Sequence, residues 1–230
     1  MSERTNEQKR QAAEHAATFI ESGMVVGLGT GSTAILMVRR LAELLRSGHL
    51  RDVVCVATSN VTEAEARKLH IPITTLEAHP VVDLTIDGAD EIDPQLNAIK
   101  GGGGALLREK IVAQASRRVI VVVDESKPSP ILGTHWALPV EVIPFGWNTQ
   151  QTFLQGLGAN VRVRSRDDGA PFQTDQGNMI LDCRFGPIHQ LSDLNKQLNQ
   201  RAGIVEHGLF LGLITDLIVA GNAGIRHTTR

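Results

Sequence analysis

A chain of 230 residues, 42% of them hydrophobic, is long enough to bury a substantial core in one or two domains. Its 23 basic and 25 acidic residues give a formal net charge of -2, so no overall field favours nucleic acid or an anionic membrane as a partner. No apolar run approaches the roughly 18 residues of a membrane span, and the polar segment 2–10 lacks the apolar centre of a signal peptide. We therefore expect a cytoplasmic protein.

The first half of the chain alternates apolar, strand-like runs with segments of helical periodicity. The predicted elements are strand 24–27, helix 32–46, strand 53–57, helix 62–69, strand 84–86, helix 105–115 and strand 119–123. In helix 32–46, Ile35, Val38, Leu41 and Leu45 recur at helical spacing. This alternation predicts an α/β fold: a Rossmann-like, mostly parallel sheet with helices on both faces.

From residue 138 the order of elements changes to β-α-β-β-α-β, which is typical of a smaller α+β, ferredoxin-like subdomain. The predicted elements are strand 138–143, helix 148–157, strand 161–164, strand 179–185, helix 188–200 and a strand near 204. We place an α/β domain at residues 1–133 and 208–230 and the small subdomain at 134–207. Apolar segments 209–213 and 217–220 could add to the first sheet, and we expect the polar tail 226–230 to be frayed.

Cys55 and Cys183 lie in apolar segments without CxxC spacing, which favours two reduced, buried thiols. The eight histidines form no HxH or HExxH spacing. The sequence therefore predicts no metal site.

The segment GLGTGST at 27–33 follows the first strand and opens a helix. It differs from a dinucleotide-binding fingerprint because Ser32 replaces the third glycine and the second strand ends in Thr58-Ser59-Asn60 instead of an acidic residue. A P-loop is excluded because no lysine follows. What remains is a loop of backbone N–H groups and hydroxyls at a helix N-terminus, which suits a small phosphate or a sugar hydroxyl. The alternative is an ordinary turn in which Ser32 or Thr33 caps the helix.

Two further motifs, DGADE at 87–91 and KGGGGALLREK at 100–110, combine carboxylates, a lysine and a glycine run. Asp87 and Asp90 follow a buried strand at its carboxyl end, where open α/β sheets bind their ligands. The glycine run permits close approach of the backbone to a ligand, although a bare flexible loop is the alternative. Taken alone, Glu109 is better explained as a solvated ion-pair partner, and Lys127, after the strand at 119–123, as a surface lysine. The hydroxyls after the first strand, the carboxylates Asp87 and Asp90 and the side chain of Lys127 all emerge at one edge of the predicted sheet, and this convergence predicts a ligand site.

At these motifs, together with DESK at 124–127 and LPVEVIP at 138–144, the chain resembles the type A ribose-5-phosphate isomerases over nearly its full length. The resemblance implies interconversion of ribose 5-phosphate and ribulose 5-phosphate through an enediolate, in the non-oxidative pentose phosphate pathway. It implies that the protein uses neither a metal nor an organic cofactor. It also implies that the protein is a homodimer or a higher homo-oligomer. The segment Phe145-Gly146-Trp147 is bulkier than is usual in the family, which suggests altered packing or an altered subunit contact.

The resemblance also implies roles for individual residues. Glu109 is the expected catalytic base, Lys100 the expected stabiliser of oxyanion charge, and Asp87 and Asp90 are expected to orient hydroxyls and assist ring opening. The substrate contacts implied in this way are Thr30, Gly31, Ser32, Thr33, Asp87, Gly88, Ala89, Asp90, Lys100, Gly101, Gly102, Gly103, Lys127 and, near the phosphate, Lys9.

Two other classes of protein fit the sequence less well. One is a sugar-phosphate sensor without turnover, since the effector domains of some bacterial transcription regulators resemble this fold. Such a protein needs a DNA-binding segment, which the sequence does not show before residue 20, and it has little use for Glu109. An acyl- or CoA-transferase-like protein uses a glutamate nucleophile in a related fold, but no CoA-sized extension is apparent.

Overall fold

The structure is a computed structural model that describes residues 3–230. The helices are α1 (Glu3–Ala17), α2 (Ser32–Arg46), α3 (Asn60–Lys68), α4 (Leu106–Gln114), α5 (Trp147–Gly156) and α6 (Leu191–Asn199). The strands are β1 (Val25–Leu28), β2 (Val54–Ala57), β3 (Val82–Asp87), β4 (Glu91–Ile92), β5 (Ala98–Ile99), β6 (Ser116–Asp124), β7 (Leu138–Val142), β8 (Asn160–Val163), β9 (Met179–Arg184), β10 (Ile204–His207), β11 (Leu209–Phe210), β12 (Asp216–Gly221) and β13 (Gly224–Thr229). Within the described range, no helix has the length and apolarity needed to cross a membrane.

The chain divides into two compact units, of which the first comprises residues up to Ala89, Arg108–Lys127 and Gly212–Arg230. Its sheet has the order β13-β12-β6-β3-β1-β2, and all neighbours are parallel except β12 and β13. From β1 the chain moves to β2 on one side and then to β3 on the other. The strand order therefore reverses between β1 and β3, the place where doubly wound sheets open a crevice for ligands.

Helices cover both faces of this sheet, as predicted. Val26 and Leu28 of β1 lie in a core with α1 and α2, whereas Gly27 points to the opposite face, because successive residues of a strand alternate. On that opposite face, Val112 of α4 packs with Val56 and Val82. The larger core is formed by buried apolar side chains that include Ala12, Ala13, Ala16, Met37, Val38, Leu41, Ile86, Ile120 and Ile218. Each large side chain in it contributes about 1.5–3 kcal/mol relative to exposure.

The second unit comprises Asp90–Leu107 and Pro128–Leu211. It contains the predicted β-α-β-β-α-β order, as a four-stranded antiparallel sheet in the order β10-β7-β9-β8 with helices α5 and α6. Its core includes Leu138, Val140, Leu154 and Leu198. A separate three-stranded sheet, β11-β5-β4, belongs to the same unit. The domain boundaries at 133/134 and 207/208 remain a prediction.

Two expectations about the end of the chain need correction. Segment 217–220 joins the first sheet as part of β12, but 209–213 does not, since β11 pairs with β5. The tail is not frayed either, because β13 pairs with β12 along its whole length in a hairpin closed at Gly221 and Gly224. Its residues are exposed and, apart from Ile225 and Gly224, polar, which is why the composition predicts a loose end. The backbone ladder with β12 orders the strand, and its edge position leaves these side chains in water.

Asp216, at the start of β12, connects β13 and β6 through charged hydrogen bonds. Its carboxylate is 2% exposed and accepts a bidentate pair from Arg118, at 2.6 and 2.9 Å, and a bond of 2.8 Å from His227. Thr215 donates a further bond of 2.7 Å. Burial raises the pKa of this carboxyl, whereas the hydrogen bonds lower it by more, so the pKa is about 2 instead of its ordinary 3.8.

We predict that Asp216→Asn lowers the free energy of unfolding at neutral pH by about 1–3 kcal/mol, because charged hydrogen bonds are lost at a buried site. Because the folded pKa lies below the ordinary 3.8, the carboxylate stabilises the fold above that pH, and this stabilisation is lost as the pH falls towards 2. Urea unfolding at several pH values should show a smaller acid-dependent loss in Asp216→Asn than in the unsubstituted protein. The control is Asp168→Asn, whose ion pair with Arg166 is exposed. Equal acid dependence in Asp216→Asn and the unsubstituted protein would contradict the assignment.

Candidate functional site

The loop after β1 is fastened to the end of β3 by a buried carboxylate. Oδ1 of Asp87, a residue only 2% exposed, accepts hydrogen bonds from the backbone N–H of Thr30 at 3.0 Å and of Gly88 at 2.7 Å. A Cβ at Gly29 would lie 2.2 Å from the same oxygen, so only glycine leaves room for it. The structure thus brings the predicted residues Thr30, Asp87 and Gly88 together, with Ala89 next along the chain.

The hydroxyl of Thr30 belongs to a cluster that the sequence interpretation missed. Its Oγ1 lies 2.8 Å from the hydroxyl oxygens of Thr58 and Ser59 and 3.2 Å from that of Thr62. The cluster is tied to the loop after β1 because Thr58 donates to the carbonyl of Leu28 and Thr62 to that of Gly29. The available signal is the pair of hydroxyl residues directly after β2, which the sequence interpretation uses only as evidence that an acidic residue is missing there.

The N-terminus of α2 faces a lysine from α1. Gly31 occupies the cap position with a φ of 112° and has no side chain to cap the helix, so the expectation that Ser32 or Thr33 is the cap residue is wrong. Instead, Oγ of Ser32 accepts a hydrogen bond of 2.9 Å from Nζ of Lys9, which is 7% exposed. A cavity of about 410 Å³ adjoins the Lys9–Ser32 pair. A helix N-terminus beside a lysine is a favourable place for an anion.

Glu109 lies in the first turn of α4 and is 4% exposed, so the interpretation that its carboxylate is solvated is wrong. It precedes Val112 by one turn on the same side of the helix. Val112 in turn packs so closely on β1 that a Cβ at Gly27 would lie 2.9 Å from its Cγ1. Because a crossover helix runs antiparallel to the parallel strands it connects, its first turn lies at their carboxyl edge. Glu109 is therefore at the same edge as Asp87.

Lys127 follows β6, the next strand of the sheet after β3. Its backbone N–H donates to the carbonyl of Asp124 at 3.2 Å, and Oδ1 of Asp124 accepts from the N–H of Ser126 at 3.0 Å. These bonds fold the chain back at the strand end. Lys127 is half-buried, at the carboxyl edge of the first unit's sheet.

The second unit carries the remaining predicted residues, Asp90 and the loop Lys100–Gly103. Asp90 receives a hydrogen bond of 2.7 Å from the N–H of Gly102 on Oδ2, and its own N–H donates to the carbonyl of Ile99. Lys100 is 4% exposed, its N–H donates to the carbonyl of Gly208, and its ammonium lies 5.3 Å from the ring centroid of Phe210. The loop is thus held at two places, at Gly102 by the carboxylate of Asp90 and at Lys100 by the carbonyl of Gly208.

Glu91, which follows Asp90 in the DGADE motif, received no role from the sequence interpretation. It is fully buried, and its carboxylate accepts backbone N–H bonds from Gly133 at 3.0 Å, His135 at 3.3 Å and Trp136 at 3.1 Å. This carboxylate organises a loop of the second unit. In the described part of the chain, no three His, Cys, Asp or Glu side chains are grouped so as to hold a metal ion.

Comparison with known proteins extends this picture. Residues 54–224 match the family described as ribose 5-phosphate isomerase A (phosphoriboisomerase A). The chain is 56% identical to ribose-5-phosphate isomerase A of Chloroflexus aurantiacus over 98% of its own length and 94% of the relative. A ribose-5-phosphate isomerase solved in complex with phospho-erythronic acid has a TM-score of 0.96 at 38% identity, with 100% of both chains covered. The enzyme from Plasmodium falciparum has a TM-score of 0.95 at 40% identity, covering 98% of this chain and 99% of its own.

The reversal of strand order between β1 and β3, with polar groups following both strands, defines a doubly wound α/β protein, a class in which ligands bind at the carboxyl edge of the sheet. The chain belongs to the ribose-5-phosphate isomerase A family.

Proposed function

We propose that this chain is an aldose–ketose isomerase that interconverts D-ribose 5-phosphate and D-ribulose 5-phosphate. The observation that carries the proposal is the buried carboxylate of Glu109 at the carboxyl edge of the sheet, in a chain of this family. The solved relative in complex with phospho-erythronic acid adds support. That ligand is a phosphorylated sugar acid, and its carboxylate places two oxygens in one plane, as an enediolate does.

The proposed reaction passes through an enediolate, with Glu109 as the base. Glu109 takes the proton from C2 of the ring-opened aldose, the C2–H electron pair forms the C1–C2 double bond, and the carbonyl oxygen on C1 gains the negative charge. The proton of the hydroxyl on C2 then passes to the oxygen on C1, which becomes a hydroxyl. As the C2 carbonyl forms, the electrons of the C1–C2 double bond take up the proton that Glu109 returns to C1. Base catalysis of this kind contributes about 10²- to 10⁴-fold.

Charge that develops on the sugar oxygens needs a preorganised partner. We assign this role to Lys100, because an ammonium that is 4% exposed acts in a medium where electrostatic stabilisation is stronger than in water. Asp87 and Asp90 are assigned to the sugar hydroxyls and to ring opening. The remaining proposed contacts to substrate are Thr30, Gly31, Ser32, Thr33, Gly88, Ala89, Gly101, Gly102 and Gly103. The proposal needs neither a metal nor an organic cofactor.

The phosphate is assigned to cationic and backbone groups of the first unit. The N-terminus of α2 offers backbone N–H groups and the positive end of the helix dipole, and Lys9 lies at this helix end through its bond to Ser32. Lys127 contributes a second positive charge at the edge of the sheet.

We expect Glu109→Gln to lower kcat by about 10²- to 10⁴-fold with little change in KM, because the amide keeps the shape but cannot accept the proton. The variant should remain folded, since it removes a buried charge. Initial rates in a coupled assay measure kcat and KM, and circular dichroism shows whether the variant is folded. Glu43→Gln, at an exposed carboxylate of α2, is the matched control and should be fully active.

The same experiment in deuterated water tests the enediolate. The active protein should incorporate solvent deuterium into the sugar, and Glu109→Gln should lose this exchange together with turnover. Normal kcat in Glu109→Gln would remove this residue from the mechanism, and turnover without exchange in the unsubstituted protein would favour direct transfer of hydrogen between the two carbons.

A second prediction concerns the phosphate. Ribose should be isomerised with a kcat/KM at least about 100-fold below that of ribose 5-phosphate, because roughly 3 kcal/mol of charged hydrogen bonds are missing. Lys127→Ala should raise the KM for ribose 5-phosphate by about 10-fold or more but leave the rate with ribose unchanged. Lys68→Ala, at an exposed lysine of α3, is the control. Equal rates on both sugars would defeat the assignment of a phosphate site.

We also propose that the protein is a homodimer or higher homo-oligomer. Phe145, in the unusually bulky segment, is 89% exposed, and a partner subunit would remove its ring from water. Light scattering should give at least twice the mass of one chain, and a monomeric mass would contradict the proposal.

The proposed location is the cytoplasm. Cys55 and Cys183 are both buried free thiols, and burial raises the pKa of Cys55 to about 12 and that of Cys183 as well. Such thiols suit a reducing compartment. Fractionation of cells followed by detection of the protein tests this location, and recovery outside the cytoplasm would overturn it. In that compartment the reaction belongs to the non-oxidative pentose phosphate pathway.

A further inference from the structure

We infer that Arg164, from the small subdomain, is a positioning residue for catalysis that aligns the glycine loop Lys100–Gly103. One terminal nitrogen of its guanidinium donates to the carbonyl of Gly101 at 2.8 Å and to that of Gly102 at 3.1 Å. All of these residues lie in the second unit. The inference rests on the role proposed above for this loop.

The guanidinium is itself held in place from the side opposite the loop. Its Nε and second terminal nitrogen form a bidentate pair with the carboxylate of Asp182 in β9, at 3.0 and 2.5 Å. The ring of Phe172 lies 5.9 Å from the guanidinium carbon, and the side chain of Arg164 is only 15% exposed. Because the guanidinium is planar and one of its edges is hydrogen-bonded to a carboxylate, its remaining N–H donors point in a defined direction.

The loop depends on such outside contacts because glycines have no side chains with which to fix their own geometry. The peptide between Gly101 and Gly102 is held at both ends, its carbonyl by Arg164 and its N–H by Asp90. The next carbonyl, of Gly102, is also held by Arg164. Because a trans peptide is planar, with its carbonyl and N–H pointing in opposite directions, this bond sets the direction of the N–H of Gly103.

Arg164 therefore controls the orientation of two successive peptides next to Lys100, in a segment proposed to contact substrate. A loosened loop still binds substrate through its other contacts, but it meets the developing charge with poorer geometry. Misplacement of this kind chiefly lowers the rate of the chemical step.

A cavity lies against the Arg164–Asp182 pair and makes a direct test feasible. Its volume is about 480 Å³, and its lining includes Gly102, Arg162, Arg164 and Asp182. A small cation in solution can therefore reach the place of the guanidinium once the arginine side chain is removed. Arg162 lines the same cavity from β8 but is exposed, which makes it a matched control.

The experiment compares Arg164→Ala with Arg162→Ala in the full-length protein, with ribose 5-phosphate as substrate and at a temperature where both are folded. We expect Arg164→Ala to lose about 10- to 100-fold in kcat, with KM changed by less than about threefold, and Arg162→Ala to remain fully active. Millimolar guanidinium chloride should restore part of the kcat of Arg164→Ala, whereas urea, which has a similar shape but no charge, should not.

An unchanged kcat in Arg164→Ala, a loss confined to KM, an equal loss in Arg162→Ala, or a kcat loss that guanidinium leaves unrepaired would each overturn the inference. Should Arg164→Ala fail to fold, Arg164→Lys carries the test, because a single ammonium cannot bridge Asp182 and two carbonyls and should lower kcat in the same selective way.

Lys100→Ala, measured in parallel, separates this inference from the proposed role of the loop. Full activity of Lys100→Ala would reject that role, whereas an inactive Lys100→Ala beside a fully active Arg164→Ala would reject only the positioning role.

Discussion

The site of the first unit is built around one buried carboxylate, that of Asp87. It accepts N–H bonds from Thr30 and Gly88, which belong to the loops that follow two adjacent parallel strands. A carboxylate removed from water must be compensated by hydrogen bonds, and here the backbone of both loops supplies them. The position of Asp87 and the shape of the two loops therefore depend on each other. The requirement for glycine at position 29 follows, because a Cβ there would occupy the space of the carboxylate.

In the second unit it is the backbone of a loop, and not a charged side chain, that must be held in place. Its glycine loop has no side chains to anchor it between Gly101 and Gly104, so its geometry comes from neighbouring residues. Asp90 holds an N–H of the loop, Arg164 holds two carbonyls, and Gly208 accepts from the N–H of Lys100 at the loop's start. In the first unit a charged group is fixed by backbone, whereas in the second a flexible backbone is fixed by charged groups. Both arrangements reduce the freedom of groups proposed to contact the substrate, which is what preorganisation requires.

Features set by local pattern were predictable from the sequence, and features set by distant neighbours were not. Helix α2 has its predicted bounds because its apolar spacing is a local signal, and the β-α-β-β-α-β order of the small subdomain follows from local patterns in the same way. The support from Thr58, Thr62 and Arg164 was missed, because each acts on residues remote in sequence; Arg164 lies 62 positions from Gly102. The strand β13 was missed for the same reason, since its order comes from the ladder with β12 and not from its own polar composition.

Burial alone does not identify a catalytic carboxylate, and Glu141 shows why. It lies in the LPVEVIP segment, is fully buried, and burial raises the pKa of its carboxyl, an effect that bonds from Asn178 and Thr174 oppose only in part. A perturbed buried acid is often a mark of an active site. Glu141, however, lies within a central strand of the antiparallel sheet, between β10 and β9, and not at the carboxyl ends of parallel strands. Glu109 has comparable burial but lies in the first turn of a helix, at the carboxyl edge of a parallel sheet, where loops and helix N-termini present donors to a ligand. Position in the fold, more than burial, is what makes Glu109 the stronger candidate for the base.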